Sequence, residues 1–518
     1  MEKINIIFDD KNYSIDSSYL ETASSALQSH LSTTMSGSGA AVNFGGNVYN
    51  IDSAKLSSAT NDFIAHLQSI TGTGYKVVVG GVEYNIDINK VENAIAELND
   101  RFWKLGYPGV PKVEELEEAY EFNYYSTLAL AVADVNAETI GENADANKLD
   151  AVAGVYVDEN AKTNILMLKS VNIEETVDID GDVTLDLGGY NHTSSAPTAF
   201  SLSGNVVVDA IRGGGITING ETGVRLCALH FTSGTGVVNC GKYVTNSSNV
   251  ATTRADIGTI VVDNGADVVI NNVTSIATDD VAAAVSALFI SEGGKAEVNN
   301  SYIHGICKSG YNVAGVANFG ELVATDTKFI ADSDYLGNEA GTDYGKFSRG
   351  VYSYGPTTLN NCYVYGTHCG VSMANAPIYI NGGTYEGYGH GGLYTTSGAD
   401  KINYIYDAKF IGTIDMKEGY VADDIVGNNY AGIYIGGTDT TVYMDNCYVY
   451  GAEQPIVLRD TREILYVSNS STNTDYTKYP VRISSSSKLY IGAGNNFNKN
   501  QCSRPTAAYE TGEEYRVN

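Results

Sequence analysis

Two stretches of this chain carry the side chains that a sugar-binding or sugar-cleaving site needs. One holds Asp334, Tyr335, Glu339, Asp343, Tyr344 and Phe347, and the other holds Asp415, Glu418, Tyr420, Asp423, Asp424 and Tyr430. Tyrosine rings stack on the apolar faces of sugars, carboxylates accept from sugar hydroxyls, and two carboxyl groups about 5 to 10 Å apart can cleave a glycosidic bond. Tyr335, Asp343, Tyr344, Tyr420, Asp424 and Tyr430 are the residues expected to hold a glycan. Ordinary loop variation accounts for the same composition, and no acid pair identifies itself as catalytic.

Other candidates are weaker. Asp178-Ile179-Asp180-Gly181-Asp182 crowds carboxylates as a hard cation requires, but its glycine comes two positions too early for an EF-hand and the distal glutamate is missing, so a plain β-turn is expected. The sequence contains no phosphate-cradling loop, zinc motif or nucleophile elbow, so neither cofactor nor metal is expected. His30 and His66 occupy equivalent places in a repeat and are expected on helix surfaces.

The elements that must carry these stretches repeat. From about residue 150 a block recurs: apolar, any, an Asn/Asp-like turn residue, small, any, apolar. Taking that turn residue as the marker, Asn272, Asn300, Asp326, Asn361, Gly382, Asp407, Asn446 and Asn469 are spaced by a mean of about 28 residues. The same left-handed-tolerant residue at the same offset favours stacked coils over a β-sandwich, which would need hairpin turns at regular spacing. The expected fold is therefore mainly β, a right-handed parallel β-helix of about ten or eleven coils. The two candidate stretches lie in its two long inter-block gaps, 35 residues between Asp326 and Asn361 and 39 between Asp407 and Asn446. Rigid solenoids place function in such loops.

Strand alternation aims the residue two past each corner, and the one two beyond that, outward. The first set is Thr274, Tyr302, Lys328, Tyr363, Thr384, Lys409, Tyr448 and Ser471, and the second is Ile276, His304, Ile330, Tyr365, Glu386, Ile411, Tyr450 and Asn473. A face mixing Tyr, Ile and Lys is too apolar to be merely solvated. Tyr302, Ile330, Tyr363, Tyr365, Ile411, Tyr448 and Tyr450 are the expected oligomer interface, in a homotrimer, with a sugar-stacking platform as the alternative.

A different repeat comes first. Ile6 to Asp16, Val42 to Asp52 and Val77 to Asp87 are near-copies, with tyrosines 36 and 35 residues apart and an amphipathic stretch behind each. Phe8-Asp9-Asp10, Phe44-Gly45-Gly46 and Val79-Gly80-Gly81 fit hairpin turns, and Asp16, Asp52 and Asp87 fit helix N-caps, so each unit is expected to be ββα. The Pro/Gly break at Leu105 to Pro111 ends the array, and a helix is expected over 113–137, capping the open end of the solenoid. The domains are thus 1–104, three ββα repeats for attachment; 105–150, linker and capping helix; 151–500, the β-helix shaft; and 501–518, a C-terminal tail.

Composition narrows the partners. The chain has 518 residues and a formal charge of −30, with a pI near 4.5, so nucleic acid and anionic membrane are repelled, and a polyanion could bind only on a local basic patch. Seven cysteines, none in a Cys-x-x-Cys spacing, are expected as buried small residues. The start is too short and charged for a signal peptide, and no run of 18 apolar residues could span a bilayer, so synthesis in a cytoplasm without membrane insertion is expected.

The runs Val155 to Asp158, Leu166 to Lys169 and Val183-Thr184-Leu185-Asp186-Leu187-Gly188-Gly189-Tyr190 resemble the opening coils of the pectate-lyase-like β-helix superfamily, over about 150–500. The resemblance implies fold far more than activity. Asp279-Asp280 and Gly389-His390-Gly391 resemble pieces of the polygalacturonases, but they lie about four coils apart, Asn473-Thr474-Asp475 follows both, and Val481-Arg482-Ile483-Ser484 lacks the lysine of the family pattern. At about 4.8 Å per coil, groups so separated cannot cooperate.

Together with the N-terminal array, the whole resembles a phage virion appendage of the tailspike or head-fibre kind. That implies a structural protein on the virion surface, made in the host cytoplasm, attached to capsid or tail proteins through its N-terminal repeats, and adhering to host-surface polysaccharide. The alternatives are a polysaccharide-cleaving tailspike, either a glycoside hydrolase or a polysaccharide lyase, and a bacterial surface adhesin. About 20 residues after the last coil leave little room for a C-terminal trimerising domain, which weighs against the tailspike.

Overall fold

The computed structural model describes residues 3–8, 11–16, 40–44, 47–51, 75–79, 82–86, 111–220, 226–247, 258–279, 284–307, 312–333, 347–387, 391–399, 401–412, 431–476 and 478–516. Two compact units, Met1–Glu115 and Leu116–Asn518, divide the chain.

In the first unit Lys3–Phe8 pairs antiparallel with Lys11–Asp16, Ala40–Phe44 with Asn47–Ile51, and Tyr75–Val79 with Val82–Ile86. The first and third hairpins share a four-stranded sheet through Asn5 and Val78. The helical halves of the expected repeats, with His30 and His66, lie outside the described residues.

The second unit is a parallel β-solenoid. Sheet 1 has 12 strands, from Asn172–Ile173 to Ser471–Thr472. Sheet 2 runs from Cys227–Phe231 to Val481–Ile483, and sheet 3 from Thr163–Met167 to Ala508–Glu510. The strand Thr198–Asp209 is long enough to feed two sheets, its first half pairing with Cys227–Phe231 and its second with Gly234–Asn239. Inward positions stack apolar on apolar: Val208, Val238, Ile270 and Val298 follow one another in register and are fully buried. Truncating one of the larger of these to Ala costs about 2–5 kcal/mol.

The corner between sheets 3 and 1 explains the repeat. Asn272, Asn300, Asp326, Asn361, Gly382, Asp407, Asn446 and Asn469 all have positive φ, between 49° and 75°. Asn, Asp and Gly tolerate that conformation, which otherwise costs roughly 1–2 kcal/mol. The preceding asparagines add a ladder, Asn299 Nδ2 donating to Asn271 Oδ1 and Asn271 Nδ2 to Asn239 Oδ1, each at 3.2 Å. Cys240, φ 62°, occupies the same corner and breaks the expected residue pattern. The other six cysteines are buried and all seven are free thiols, as their spacing suggested.

The expected helix over 113–137 is instead two short helices, α1 (Val113–Ala119) and α2 (Leu128–Asn136), separated by a strand, Asn123–Tyr125. The aromatic run causes the break. Tyr120 and Phe122 stack on Tyr156 at 5.2 and 4.7 Å, Asn123–Tyr125 pairs antiparallel with Ala153–Val155, and Thr127 restarts the helix by accepting from Leu130 N. Buried Asp134 ties the cap together, accepting from Tyr125 Oη at 2.9 Å and from both nitrogens of Asn143. Helix α2 meets the first long strand through Asn136, whose Nδ2 donates to Asp178 O and whose Oδ1 accepts from Asp180 N.

The C-terminal end is closed by side chains as well as strands. Asn496 imitates a further sheet-1 strand, its Oδ1 accepting from Thr472 N and its Nδ2 donating to Thr472 O. Ser503 Oγ accepts from Ile483 N at the end of sheet 2. Part of the expected tail belongs to the shaft: Ala508–Glu510 extends sheet 3 by pairing with Leu489–Ile491. The chain then doubles back along the corner. Tyr515 is buried, its N–H donates to Ser468 Oγ, and Arg516 reaches Asp407.

Candidate ligand-binding face

Parallel pairing puts the first outward set of sheet 1 in a single column. Tyr302 faces Lys328, Lys328 faces Tyr363, Tyr363 faces Thr384, Thr384 faces Lys409, and Lys409 faces Tyr448. The second column runs His304, Ile330, Tyr365, Glu386, Ile411, Tyr450 by the same pairings. Tyr302, Ile330, Tyr363, Tyr365, Ile411, Tyr448 and Tyr450 therefore share one face in two adjacent columns. Asn473, expected to continue the second column, is buried instead, because Gly451 N donates to its Oδ1 and its Nδ2 donates to Gly451 O.

The face is polar as well as aromatic. Tyr302 Oη lies 3.0 Å from His304 Nδ1, and His304 Nε2 lies 2.8 Å from Asp332 Oδ2, so the carboxylate orients the ring and the ring accepts the phenol. Burial raises the phenol pKa of Tyr302, with Asp332 adding to the rise, which keeps the hydroxyl protonated. Tyr363 Oη reaches Glu386 Oε2 at 3.4 Å, and Lys409 Nζ stands 5.9 Å from the Tyr448 ring. Lys328 and Lys409 are both exposed, which makes this column a local basic strip on an acidic chain.

The candidate loop residues Tyr335, Asp343, Tyr344, Tyr420, Asp424 and Tyr430 lie outside the described residues. Their segments, 334–346 and 413–430, each join a sheet-1 strand to a sheet-2 strand, as do 280–283, 308–311 and 388–390. Loop variation is thus concentrated at the corner bordering this face.

Sequence reasoning missed a second column. On sheet 3, Tyr379, Tyr404, Tyr443, Tyr466, Tyr490 and Tyr509 follow one another in register. Their rings stack from Tyr404 to Tyr509 with centroids 5.6, 4.6, 4.7 and 5.3 Å apart. The readable signal was a Tyr two positions before the end of the strand ahead of each corner, as in Tyr379-Ile-Asn and Tyr443-Met-Asp. Stacking uses up the ring faces and leaves edges and hydroxyls outward, whereas Lys and Thr separate the sheet-1 tyrosines along their column. The two faces therefore offer different chemistry.

Two of the three carboxyl groups with raised pKa among the described residues sit in the corner after sheet 3. Asp186 and Asp209 are register neighbours on adjacent coils. Burial raises Asp186 against the opposing Arg212 guanidinium, whose Nε donates to Asp186 Oδ2 at 2.8 Å. Burial pushes Asp209 up to about 6, with Asp186 adding to the rise. Each accepts from a main-chain N–H of its own turn, Gly188 and Ile211, as a structural corner residue does. Asp178 to Asp182 is not the plain turn expected but part of the strand Val177–Asp186, where Gly181 at φ 113° makes a local kink. Ser203 Oγ donates to Asp180 Oδ1, and Lys162 pairs with Asp182. Among the described residues no cluster of three or more metal-ligating side chains forms. Asp279 lies four coils before Thr384–Gly387, the strand that leads into Gly389-His390-Gly391, and Asp280, Gly389 and His390 are outside the described residues.

No protein-family model matches the chain. No curated protein matches it. Among solved structures it is similar to the catalytic unit of a thermostable GH87 alpha-1,3-glucanase from Streptomyces thermodiastaticus, with 10% identity and a TM-score of 0.25, the likeness covering 66% of this chain and 64% of that one. A likeness at that level carries no argument about activity, and the chain spans less than two thirds of that structure.

Proposed function

We propose that this chain is a surface-displayed shaft, a phage virion appendage of the head-fibre or tail-spike kind, whose sheet-1 face holds a host-surface glycan lengthwise. The observation that carries this reading is the register-locked column Tyr302, Lys328, Tyr363, Thr384, Lys409, Tyr448. A linear array of rings, ammonium groups and hydroxyls, renewed at every coil, suits a linear polymer better than a compact ligand. Tyrosines give stacking area, and Lys328 and Lys409 supply donors that an acidic chain otherwise keeps scarce. Each contact is individually weak, and display of many copies on one particle raises avidity. In this reading the N-terminal hairpins attach the shaft to capsid or tail proteins.

The test is incubation of the protein with host capsular or wall polysaccharide. Binding without chain shortening is expected, and the double variant Tyr363→Ala/Tyr448→Ala, losing about 0.5–1.5 kcal/mol per ring, weakens it about fivefold or more. New reducing ends, or no binding to any host glycan, would overturn the reading. One observation favours the alternative of cleavage: Asp186 and Asp209 are adjacent carboxyl groups with raised pKa, on strands about 4.8 Å apart. Chain shortening that disappears in Asp209→Asn would establish it.

A further inference from the structure

The first outward column of sheet 1 runs further than its tyrosines. Two register steps before Tyr302 it reaches Lys242, by way of Thr274. Three steps separate Lys242 from Lys328, and three more separate Lys328 from Lys409. At about 4.8 Å per step, a lysine recurs about every 14 Å along one column. All three are exposed. Lys148, Lys162, Lys295 and Lys478 each pair with a carboxylate, whereas among the described residues Lys242, Lys328 and Lys409 form no ion pair. The carboxylates nearest the column are engaged. Asp326 and Asp407, the corner residues two positions before Lys328 and Lys409, accept from Asn361 Nδ2 at 2.5 Å and Asn446 Nδ2 at 2.6 Å, and Asp407 also holds Arg516. Asp332, at the far end of the Lys328 strand, meets His304 at 2.8 Å. Glu386 stands in the second column on the Thr384 coil, between the coils of Lys328 and Lys409, and accepts from Tyr363 Oη. A polymer whose acid groups are spaced as the lysines are therefore lays uncharged sugars over Glu386, while one charged on every sugar is repelled there.

We infer that the glycan held on sheet 1 is a linear polyanion whose acid group recurs about every 14 Å, one acid to each of Lys242, Lys328 and Lys409, with uncharged sugars lying on Tyr302, Tyr363 and Tyr448. The acid is a uronate carboxylate or a phosphodiester of the polymer backbone. An ammonium group is a point charge with three donors, so it holds either one without needing a fixed bidentate geometry. This inference rests on the glycan-binding reading above and adds the ligand's charge and the spacing of that charge. Each exposed pair contributes little by itself and is screened by salt, so selectivity comes from matching three charges in register. Lys242 lies two coils beyond the tyrosines and gives one further step once a chain has spanned them.

Binding of the full chain to host capsular or wall polysaccharide, native and after carbodiimide–borohydride reduction of its carboxyl groups, tests this. Affinity for the native polymer is expected to fall as salt is raised. Lys242→Gln/Lys328→Gln/Lys409→Gln is expected to weaken it at least about threefold and to flatten the salt dependence. Lys242→Arg/Lys328→Arg/Lys409→Arg, which keeps the three charges, is expected to bind as the wild type does, separating loss of charge from loss of fold. Binding abolished by reduction assigns the acid as a carboxylate, and binding that survives reduction but still needs the lysines assigns it as a phosphodiester. Undiminished binding by the glutamine variant, affinity indifferent to salt, or failure of the arginine variant to bind would overturn the inference. The glycan reading survives those results if Tyr363→Ala/Tyr448→Ala still weakens binding, whereas a wild type that binds neither polymer would overturn both.

Discussion

At the scale of single residues, the most informative titration is that of Glu463. Its side chain is fully buried, accepts from Ser487 Oγ at 2.5 Å and from Asp460 N, and burial pushes its pKa up to about 7 from 4.5. The folded chain therefore keeps a proton that the unfolded chain releases. The resulting stabilisation is fully present below about pH 4.5 and is lost as pH rises through about 7, by at most about 3 kcal/mol. Asp209 adds the same trend between about 4 and about 6. The melting temperature is expected to fall across this window, and Glu463→Gln is expected to flatten most of the fall. An unchanged slope in that variant would show that Glu463 does not hold the proton. Single residues also mark how far the sequence could be read. The eight corner residues were legible because only Asn, Asp and Gly bear positive φ cheaply, and Cys240 was not, because it takes the same corner without belonging to that set.

At the scale of elements, the C-terminal segment acts as a clasp across coils already laid down. Arg516 makes two hydrogen bonds to Asp407, at 3.1 and 2.5 Å, and lies 5.1 Å over the Tyr406 ring, while Tyr515 packs on Tyr466 at 5.1 Å. The hydrogen bonds from Arg516 lower the pKa of Asp407. Because Arg516 is 41% exposed, its loss in Arg516→Ala is expected to cost no more than about 1 kcal/mol, whereas Tyr515→Ala, which empties a buried site, costs about 3 kcal/mol. Hydrogen exchange checks this. Tyr515→Ala should speed exchange in Ile464–Ser468 and Lys488–Ile491 and leave Gly234–Asn239 unchanged, and uniform exchange across all three strands would remove the clasp. Neither the clasp nor the break between α1 and α2 was legible in sequence. Both depend on contacts between residues far apart in the chain, such as Arg516 with Asp407, or Phe122 with Tyr156, which no local periodicity encodes.

At the scale of the whole molecule, one period organises everything. The corner residue recurs with each coil, so the strand that follows it was placed correctly, and the columns beginning at Tyr302 and His304 came out in the expected register. The tyrosine column of sheet 3 was not legible for the complementary reason: it lies on the strand before the corner, where Val, Glu and Thr hold the position until Tyr379. The loops at 334–346 and 413–430 have no period, so composition was their only signal. The column proposed to bind a polymer and the stacked tyrosine column lie on different sheets of the solenoid. The most direct measurement of the central claim is the affinity of the protein for size-fractionated oligosaccharides cut from the host glycan. A lengthwise site built coil by coil predicts affinity that climbs with each added sugar until the column from Tyr302 to Tyr448 is spanned and then levels off. Affinity already maximal for the shortest fragment, and insensitive to Tyr363→Ala/Tyr448→Ala, would contradict it.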